Sequence, residues 1–226
     1  MQTKLSQKAT REPKHQFENL YSLLCNEVWL RVAHQSVSAN AGRETAGIDG
    51  MTMSNFNGNL DRHLGELKAD LGTRTFEPLP VDRAYVPKPN GKLRSLGMPA
   101  LEDKLVQLAC AKRLTAIYEQ DFLACSDGYR PGRGALDAVR DLTFDLQYRR
   151  YGYLGAADIQ GVFDHMDHAW LLDMLRVRID DRTVLKLIRK WLKAGVLEVD
   201  GQVVHPETGT PQGGSLSPVL ANGYLH

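Results

Sequence analysis

The sequence is organised around the stretch Gly152-Tyr-Leu-Gly-Ala-Ala-Asp158-Ile-Gln-Gly-Val-Phe-Asp164. Its apolar first half predicts a strand that enters a packed sheet and ends at Asp158. A carboxylate at the end of a buried strand needs a partner, so Asp158 is expected either to cap the next turn or to bind a metal ion. Capping is the simpler interpretation of this stretch alone. A second stretch, Gly209-Thr-Pro-Gln-Gly-Gly-Ser-Leu-Ser-Pro218, is not explained by packing.

The composition is that of an ordinary globular protein. The chain has 226 residues, of which 42% are hydrophobic and 24% charged, with a formal net charge of +1. A nucleic-acid partner would therefore have to be held by local basic patches, because the overall charge is nearly neutral. The three cysteines lie far apart without zinc-site spacing, which is typical of reduced thiols. No run is apolar enough for a membrane span or a signal peptide, so we expect a cytoplasmic protein with no membrane partner.

Two hairpins are predicted from turn residues that accept positive φ angles, Asn90-Gly91 and Asp200-Gly201. The first hairpin carries Lys92 and Arg94, which are two residues apart and therefore point to one face of a strand. Two neighbouring cations either protect a solvated edge strand by their charge or hold a phosphate between them. The pattern alone leaves both interpretations open.

A glycine-rich loop, Ser126-Asp-Gly-Tyr-Arg-Pro-Gly-Arg-Gly134, carries two arginines. Arg130 and Arg133 either stabilise turns between two helices or contact nucleic-acid phosphate together with the loop backbone. The first fifteen residues are polar and mixed in charge, and we expect them to form a mobile tail.

In this order the motifs resemble a reverse transcriptase of the group II intron type, also called a maturase. The resemblance runs from about residue 20 to the last residue. Five blocks carry it: Ala46–Gly50; Tyr85–Arg94 with Leu96–Pro99; Gly128–Arg133; Ala157–Asp164; and Gly209–Gly214 with Leu220–Asn222 and Tyr224–His226.

The resemblance implies two-metal nucleotidyl transfer, in which a DNA primer on an RNA template is extended with deoxynucleoside triphosphates by two Mg²⁺ ions. It also implies intron RNA as a partner. The resemblance assigns metal binding and catalysis to Asp158, with the carbonyl of Ile159 as a further metal ligand. It assigns nucleic-acid contacts to Arg130 and Arg133. The residues to which it assigns nucleotide binding are Lys92, Arg94, Gly161, Val162, Phe163, Gln212 and Gly213.

The chain departs from the family in one decisive way. It reaches His226 before the family's Tyr-x-Asp-Asp turn, which supplies the other metal-binding carboxylates. One carboxylate cannot hold two Mg²⁺ ions against their hydration. We therefore expect a truncated fragment without polymerase activity of its own.

The resemblance implies an α+β fold with reverse-transcriptase-like fingers and a partial antiparallel palm sheet. The predicted regions are a tail at 1–15, fingers at 16–150 with a hairpin near 84–96, and a partial palm at 151–226. The Asp158 strand is expected to lack sheet neighbours, and an unpaired palm edge favours self-association.

Three alternatives stay open. The chain is either an enzyme fragment, as above, or a non-catalytic module that holds intron RNA with its basic loops. Another lineage, a retron or CRISPR-associated reverse transcriptase, is a third possibility. The long block before the Lys92 hairpin and the loop at 128–133 favour the group II type over the third.

Overall fold

The computed structural model describes residues 2–87, 91–211 and 213–226. Helices and a small mixed sheet alternate along the chain, so the predicted α+β class is confirmed. The helices are α1 Gln2–Arg11, α2 Leu20–Leu24, α3 Glu27–Ser38, α4 Met53–Asn57, α5 Leu60–Thr73, α6 Leu101–Tyr118, α7 Ala135–Tyr148, α8 His168–Arg176, α9 Arg182–Lys193 and α10 Ser217–Leu225; the strands are β1 Val81–Pro87, β2 Leu93–Met98, β3 Val196–Leu197 and β4 Val203–Val204.

Helix α6 is the centre of the hydrophobic core. It packs against α1, α2, α3 and α10, and twelve of its residues are buried, including Asp103, Gln107 and Arg113. A helix with this many buried residues is stable only where other elements cover it. One cluster of buried residues includes side chains from α1 to α6 and from α8 to α10, so the predicted fingers and palm regions share a core.

The sheet has the strand order β2-β1-β3-β4. Strands β1 and β2 pair antiparallel with Val86 opposite Arg94, and β3 and β4 pair antiparallel with Val196 opposite Val204. Both predicted hairpins are therefore confirmed, although residues 88–90 of the first turn lie outside the described residues. A parallel pairing of β1 with β3 joins the two hairpins into one sheet.

The predicted palm strand ending at Asp158 is wrong. Residues 151–159 have no strand structure, and all of them are exposed. In the described part of the chain their backbone makes no hydrogen bond to another segment. A strand requires a partner for its amide and carbonyl groups, and β1 to β4 pair only among themselves. The expected palm edge is consequently not formed as a sheet edge.

The expected mobile tail at 1–15 is also wrong over most of its length. Residues 2–11 form α1, which packs on α6 and buries Ala9 to 1% exposure. Leu5 lies one helical turn before Ala9 and packs against the same core. Two apolar residues on one face are enough for docking, although the composition of the segment is polar.

Candidate nucleotide and nucleic-acid site

The two stretches that dominate the sequence are hydrogen-bonded to each other. The loop at 161–166 lies against the segment at 208–210, where the second stretch begins. The bonds run from Thr210 N to Phe163 O (2.7 Å), from Gly209 N to Met166 O (2.7 Å) and from Thr208 Oγ1 to Asp164 O (3.0 Å). Backbone atoms make most of this junction, so the junction fixes the two main chains relative to each other.

Gly209 makes this close approach possible. Its φ of +84° lies in the left-handed region that favours glycine. A Cβ at this position would lie 2.6 Å from the carbonyl oxygen of Phe163 and 2.7 Å from that of Asp164. A side chain of any size would therefore push the two stretches apart.

A second glycine brings the same turn against the sheet. Gly213 has a φ of +113°, and a Cβ built on it would lie 2.5 Å from the carbonyl oxygen of Gly97 in β2. The turn after Pro211 thus contacts the strand that carries Arg94. Gln212 lies outside the described residues, so its nucleotide contact stays a prediction.

Two buried hydroxyl groups stabilise the start of this turn by hydrogen bonds. The side chains of Thr210 and Ser217 are buried and lie 2.9 Å apart, oxygen to oxygen. The Ser217 hydroxyl also lies 3.0 Å from the carbonyl oxygen of Pro211, to which it donates. Neither residue was a sequence prediction. Their signal was the presence of three hydroxyl residues, Thr210, Ser215 and Ser217, within a glycine-rich motif.

Phe163 is half-buried and meets an aromatic side chain from the glycine-rich loop. The rings of Phe163 and Tyr129 lie 6.0 Å apart at 81°, an edge-to-face contact. Tyr129 itself has a φ of +56° and is 69% exposed. The loop at 126–134 therefore reaches the site through Tyr129, which the sequence predictions did not include.

The predicted phosphate contact requires Arg130 to face solvent, but its side chain is buried. Its guanidinium is buried and donates to Glu119 Oε1 at 2.7 and 3.0 Å. It also donates to the carbonyl oxygens of Leu123 and Ser126, each at 2.7 Å, and lies over the ring of Phe122. These acceptors occupy its donors, so the prediction for Arg130 is wrong and the turn-stabilising interpretation holds for it.

Arg133 is half-buried and joins the two ends of the same loop. Its guanidinium donates to the carbonyl oxygen of Ala124 at 2.5 Å and to Asp127 Oδ1 at 3.1 Å. A third of the side chain remains accessible. Its contact with nucleic acid stays a prediction.

Lys92, which directly precedes β2, and Arg94, within β2, are both exposed. That the two side chains point to one face, as their two-residue spacing indicates, stays a prediction. Strand β2 is also an edge of the sheet, so edge protection and phosphate binding both remain compatible with their position.

Asp158 is exposed, and no hydrogen bond, ion pair or ring contact joins it to these segments within the described residues. The described part of the chain also contains no group of three or more His, Cys, Asp or Glu residues that could hold a metal ion. Asp158 and the carbonyl of Ile159 offer too few hard oxygen ligands for two Mg²⁺ ions. The residues described here do not fit a two-magnesium site.

A buried acid lies beneath the turn at 209–214. Asp103 accepts hydrogen bonds from Trp191 Nε1 at 2.8 Å and from the amide of Leu79 at 3.0 Å. Burial raises the pKa of Asp103 to about 6, although these two hydrogen bonds oppose the rise. A small cavity of about 20 Å³ separates Asp103 from Thr210 and the turn.

Comparison with known proteins identifies the family of this chain. Residues 86–226 match the family model described as reverse transcriptase (RNA-dependent DNA polymerase). The chain is 35% identical to protein YkfC of Escherichia coli K12, over all of this chain and 60% of that protein. It is 38% identical to the group II intron-encoded protein LtrA of Lactococcus lactis, over 93% of this chain and 34% of that protein. The resemblance to group II intron proteins is confirmed.

Two solved structures share the fold. They are described as a Cas6-RT-Cas1–Cas2 complex and a partial form of it, each with a TM-score of 0.55 and 20% identity over 91% of this chain. The matched region covers 21% and 34% of those chains. Within the described residues, none of the helices combines the length and the apolar character that crossing a bilayer requires.

Proposed function

We propose that this chain, which belongs to the reverse transcriptase (RNA-dependent DNA polymerase) family, provides the fingers and part of the palm of a group II intron-type enzyme. In this function it binds intron RNA, and it binds an RNA template paired with a DNA primer. The observation that carries the proposal is the junction of the loop at 161–166 with the turn that Gly213 brings against β2. Together these segments border one surface.

The proposed nucleotide contacts follow from this surface. Lys92 and Arg94 neutralise the triphosphate, since paired cations on one strand face match a polyanion. The amides of 161–163 face the phosphates in a turn that Gly161 allows with its φ of +62°. The ring of Phe163 lies under the sugar, where an apolar surface offers a 2′-hydroxyl no hydrogen bond. Gly213 and Gln212 approach the sugar or the template edge.

Metal binding is proposed only in part. Asp158 and the carbonyl of Ile159 provide one side of a Mg²⁺ site, and the described residues contain no group of three or more His, Cys, Asp or Glu that could complete it. We therefore expect the 226-residue polypeptide alone to be inactive in primer extension on an RNA template with Mg²⁺. A template-dependent product that Asp158→Ala abolishes would refute this expectation.

The binding function is tested with a fluorescein-labelled RNA–DNA hybrid, by anisotropy at several KCl concentrations. The Lys92→Gln, Arg94→Gln double variant should weaken binding about tenfold at low salt. It should also lower the slope of log affinity against log salt by about 1.5, since each lost phosphate contact contributes about 0.7–0.9. The control is Arg62→Gln with Lys68→Gln, which removes two exposed cations of α5 that are paired with acids. Equal losses for both variants would contradict the proposal.

The second candidate is a non-catalytic RNA-binding module. The exposed position of Asp158 and the lack of a metal cluster in the described residues favour it. The two candidate functions predict different effects of a nucleotide on hybrid binding. A complementary deoxynucleoside triphosphate with Mg²⁺ should tighten hybrid binding in the enzyme-like function, and Asp158→Asn should remove that effect. Tight RNA binding that is altered neither by the nucleotide nor by Asp158→Asn would favour the module.

A further inference from the structure

Helix α9 carries a row of cations on its outer face. Arg182, Lys186, Arg189 and Lys193 are all exposed and follow one another at spacings of four, three and four residues. Residues at these spacings lie on one face of a helix. At about 1.5 Å per residue, the row is about 16 Å long.

This row lacks the acidic partners that α3, α5, α7 and α8 supply. The segment Arg182–Lys193 contains no Asp or Glu, and within the described residues no carboxylate lies within 4 Å of any of the four cations. On these four helices, cations pair with acids three or four positions away, whereas the exposed cations Lys4, Lys8 and Arg11 of α1 likewise have no ion-pair partner within the described residues. The pairs are Glu27–Arg31 on α3, Arg62–Glu66 on α5, Asp137–Arg140 and Asp145–Arg149 on α7, and Asp173–Arg176 on α8.

Most of this arrangement does not stabilise the fold, and among the four cations the helix dipole favours Lys193, in the last turn. Like charges three or four residues apart repel and destabilise the helix that carries them. Arg182 stands in the first helical turn, where the helix dipole disfavours a cation. The α9 row is thus a charge pattern that an external anion would relieve.

The opposite face of α9 packs into the protein core and so fixes the position of the row. The apolar side chains Val184, Leu185, Leu187, Ile188, Trp191 and Leu192 are all buried. Lys190 is held by Glu77, at 2.7 Å, and a groove of about 520 Å³ runs between α9 and Pro78. No exposed apolar residue accompanies the cations on α9, so the helix has nothing to insert into a lipid bilayer.

We propose that the α9 row binds the phosphate backbone of a nucleic acid, as a surface separate from the Lys92 and Arg94 hairpin. At about 3.4 Å per phosphate along one strand, a row of about 16 Å matches about five consecutive phosphates. Phosphate contacts of this kind position a polynucleotide without reading its sequence. The inference rests on the proposed function, because it adds a second contact to the same class of ligand.

The test compares two variants with equal loss of charge. The first is Arg182→Gln, Lys186→Gln, Arg189→Gln and Lys193→Gln together. The control changes four cations that are ion-paired, namely Arg31, Arg43, Arg62 and Lys68, to Gln. Binding of a fluorescein-labelled 20-base-pair RNA duplex, and of one of its strands, is measured by anisotropy at several KCl concentrations. Thermal melting confirms that each variant is folded.

The α9 variant should bind at least tenfold more weakly at low salt, with a salt slope reduced by about 3. The control should stay within twofold of the parent. An α9 variant that binds both RNA probes with the parent's affinity and slope would overturn the inference, even if the Lys92 and Arg94 variant loses binding. Loss of binding to anionic lipid vesicles, with RNA binding unchanged, would also overturn it and assign the row to a membrane surface.

Discussion

The amide of Thr210 donates a 2.7 Å hydrogen bond to the carbonyl oxygen of Phe163. This bond joins the two motifs on which the family resemblance rests, although they are far apart in the sequence. Because both partners are backbone atoms, the contact depends on how closely the chains approach and not on which side chains they carry. The predictions that follow concern this junction and the elements around it.

Gly209→Ala should destabilise the fold more than the same change at another left-handed glycine. Its Cβ would lie 2.6 Å from the Phe163 carbonyl oxygen. Gly201 has the same φ of +84° but open space around it, so Gly201→Ala is a matched control. We expect a loss in the free energy of unfolding of about 1 kcal/mol for Gly201→Ala, from backbone strain. Gly209→Ala should lose about 2–4 kcal/mol, because a steric clash is added.

Urea titration followed by circular dichroism measures both losses. Equal effects at the two glycines would show that the close contact at Gly209 does not constrain the junction.

Arg130→Lys should destabilise the loop at 126–134 although the charge is kept. A lysine cannot reproduce the planar set of donors that serves Glu119 and two carbonyl groups at once. We expect the free energy of unfolding to fall by about 2 kcal/mol. The control Arg140→Lys alters an exposed pair with Asp137 and should cost less than about 0.5 kcal/mol. If Arg130→Lys instead weakened hybrid binding without affecting stability, its side chain would contact nucleic acid after all.

Asp103 should make the fold less stable as the pH rises from about 4 to 6. Burial raises its pKa in the folded chain to about 6 from the ordinary 3.8, so the unfolded chain binds fewer protons in this range. The free energy of unfolding therefore falls with rising pH, by about 3 kcal/mol from this group.

Asp103→Asn should remove this part of the pH dependence. Unfolding by urea at pH 4, 5, 6 and 7 gives the slope for each protein. Parallel pH curves for the parent and the variant would mean that Asp103 ionises normally in the folded state.

The chain should self-associate through α7. This helix has no buried residue, and its apolar side chains Leu136, Val139, Leu142, Phe144 and Leu146 are exposed. Exposed apolar patches mark interaction surfaces. Sedimentation velocity should show dimers that Val139→Lys with Leu146→Lys reduces, while Asp141→Lys with Asp145→Lys, on the opposite side of the helix, leaves them unchanged. A parent chain that stays monomeric at high concentration would exclude association through this helix.

The elements that the sequence predicted correctly are those whose structure is determined by residues adjacent in the sequence. Asn90-Gly91 and Asp200-Gly201 predicted both hairpins, since turn geometry depends on a few adjacent residues. The start of α8 has an equally local cause, since the side chain of Asp167 accepts a hydrogen bond from the amide of Trp170 three residues later. The family could also be predicted from the sequence, because five motifs in a fixed order carry more information than any one of them.

The errors concern contacts between distant segments. Whether Arg130 faces solvent depends on Glu119, which follows the end of α6 outside the loop, and the sequence of the loop does not reveal that partner. The apolar run before Asp158 has the composition of a strand, but a strand forms only beside another one. Tyr129 and Thr210 were missed because their roles depend on which residues the fold places next to them.

Hydrogen–deuterium exchange with and without an RNA–DNA hybrid and the complementary deoxynucleoside triphosphate tests most directly whether the three segments form one site. Residues 151–160 are exposed and have no backbone hydrogen bonds to other segments in the described chain, so their amides should exchange fast in the free protein. Our account predicts that ligand slows exchange together at 158–165, at 92–96 and at 209–214. Protection of only one of these segments, or of none, would contradict it.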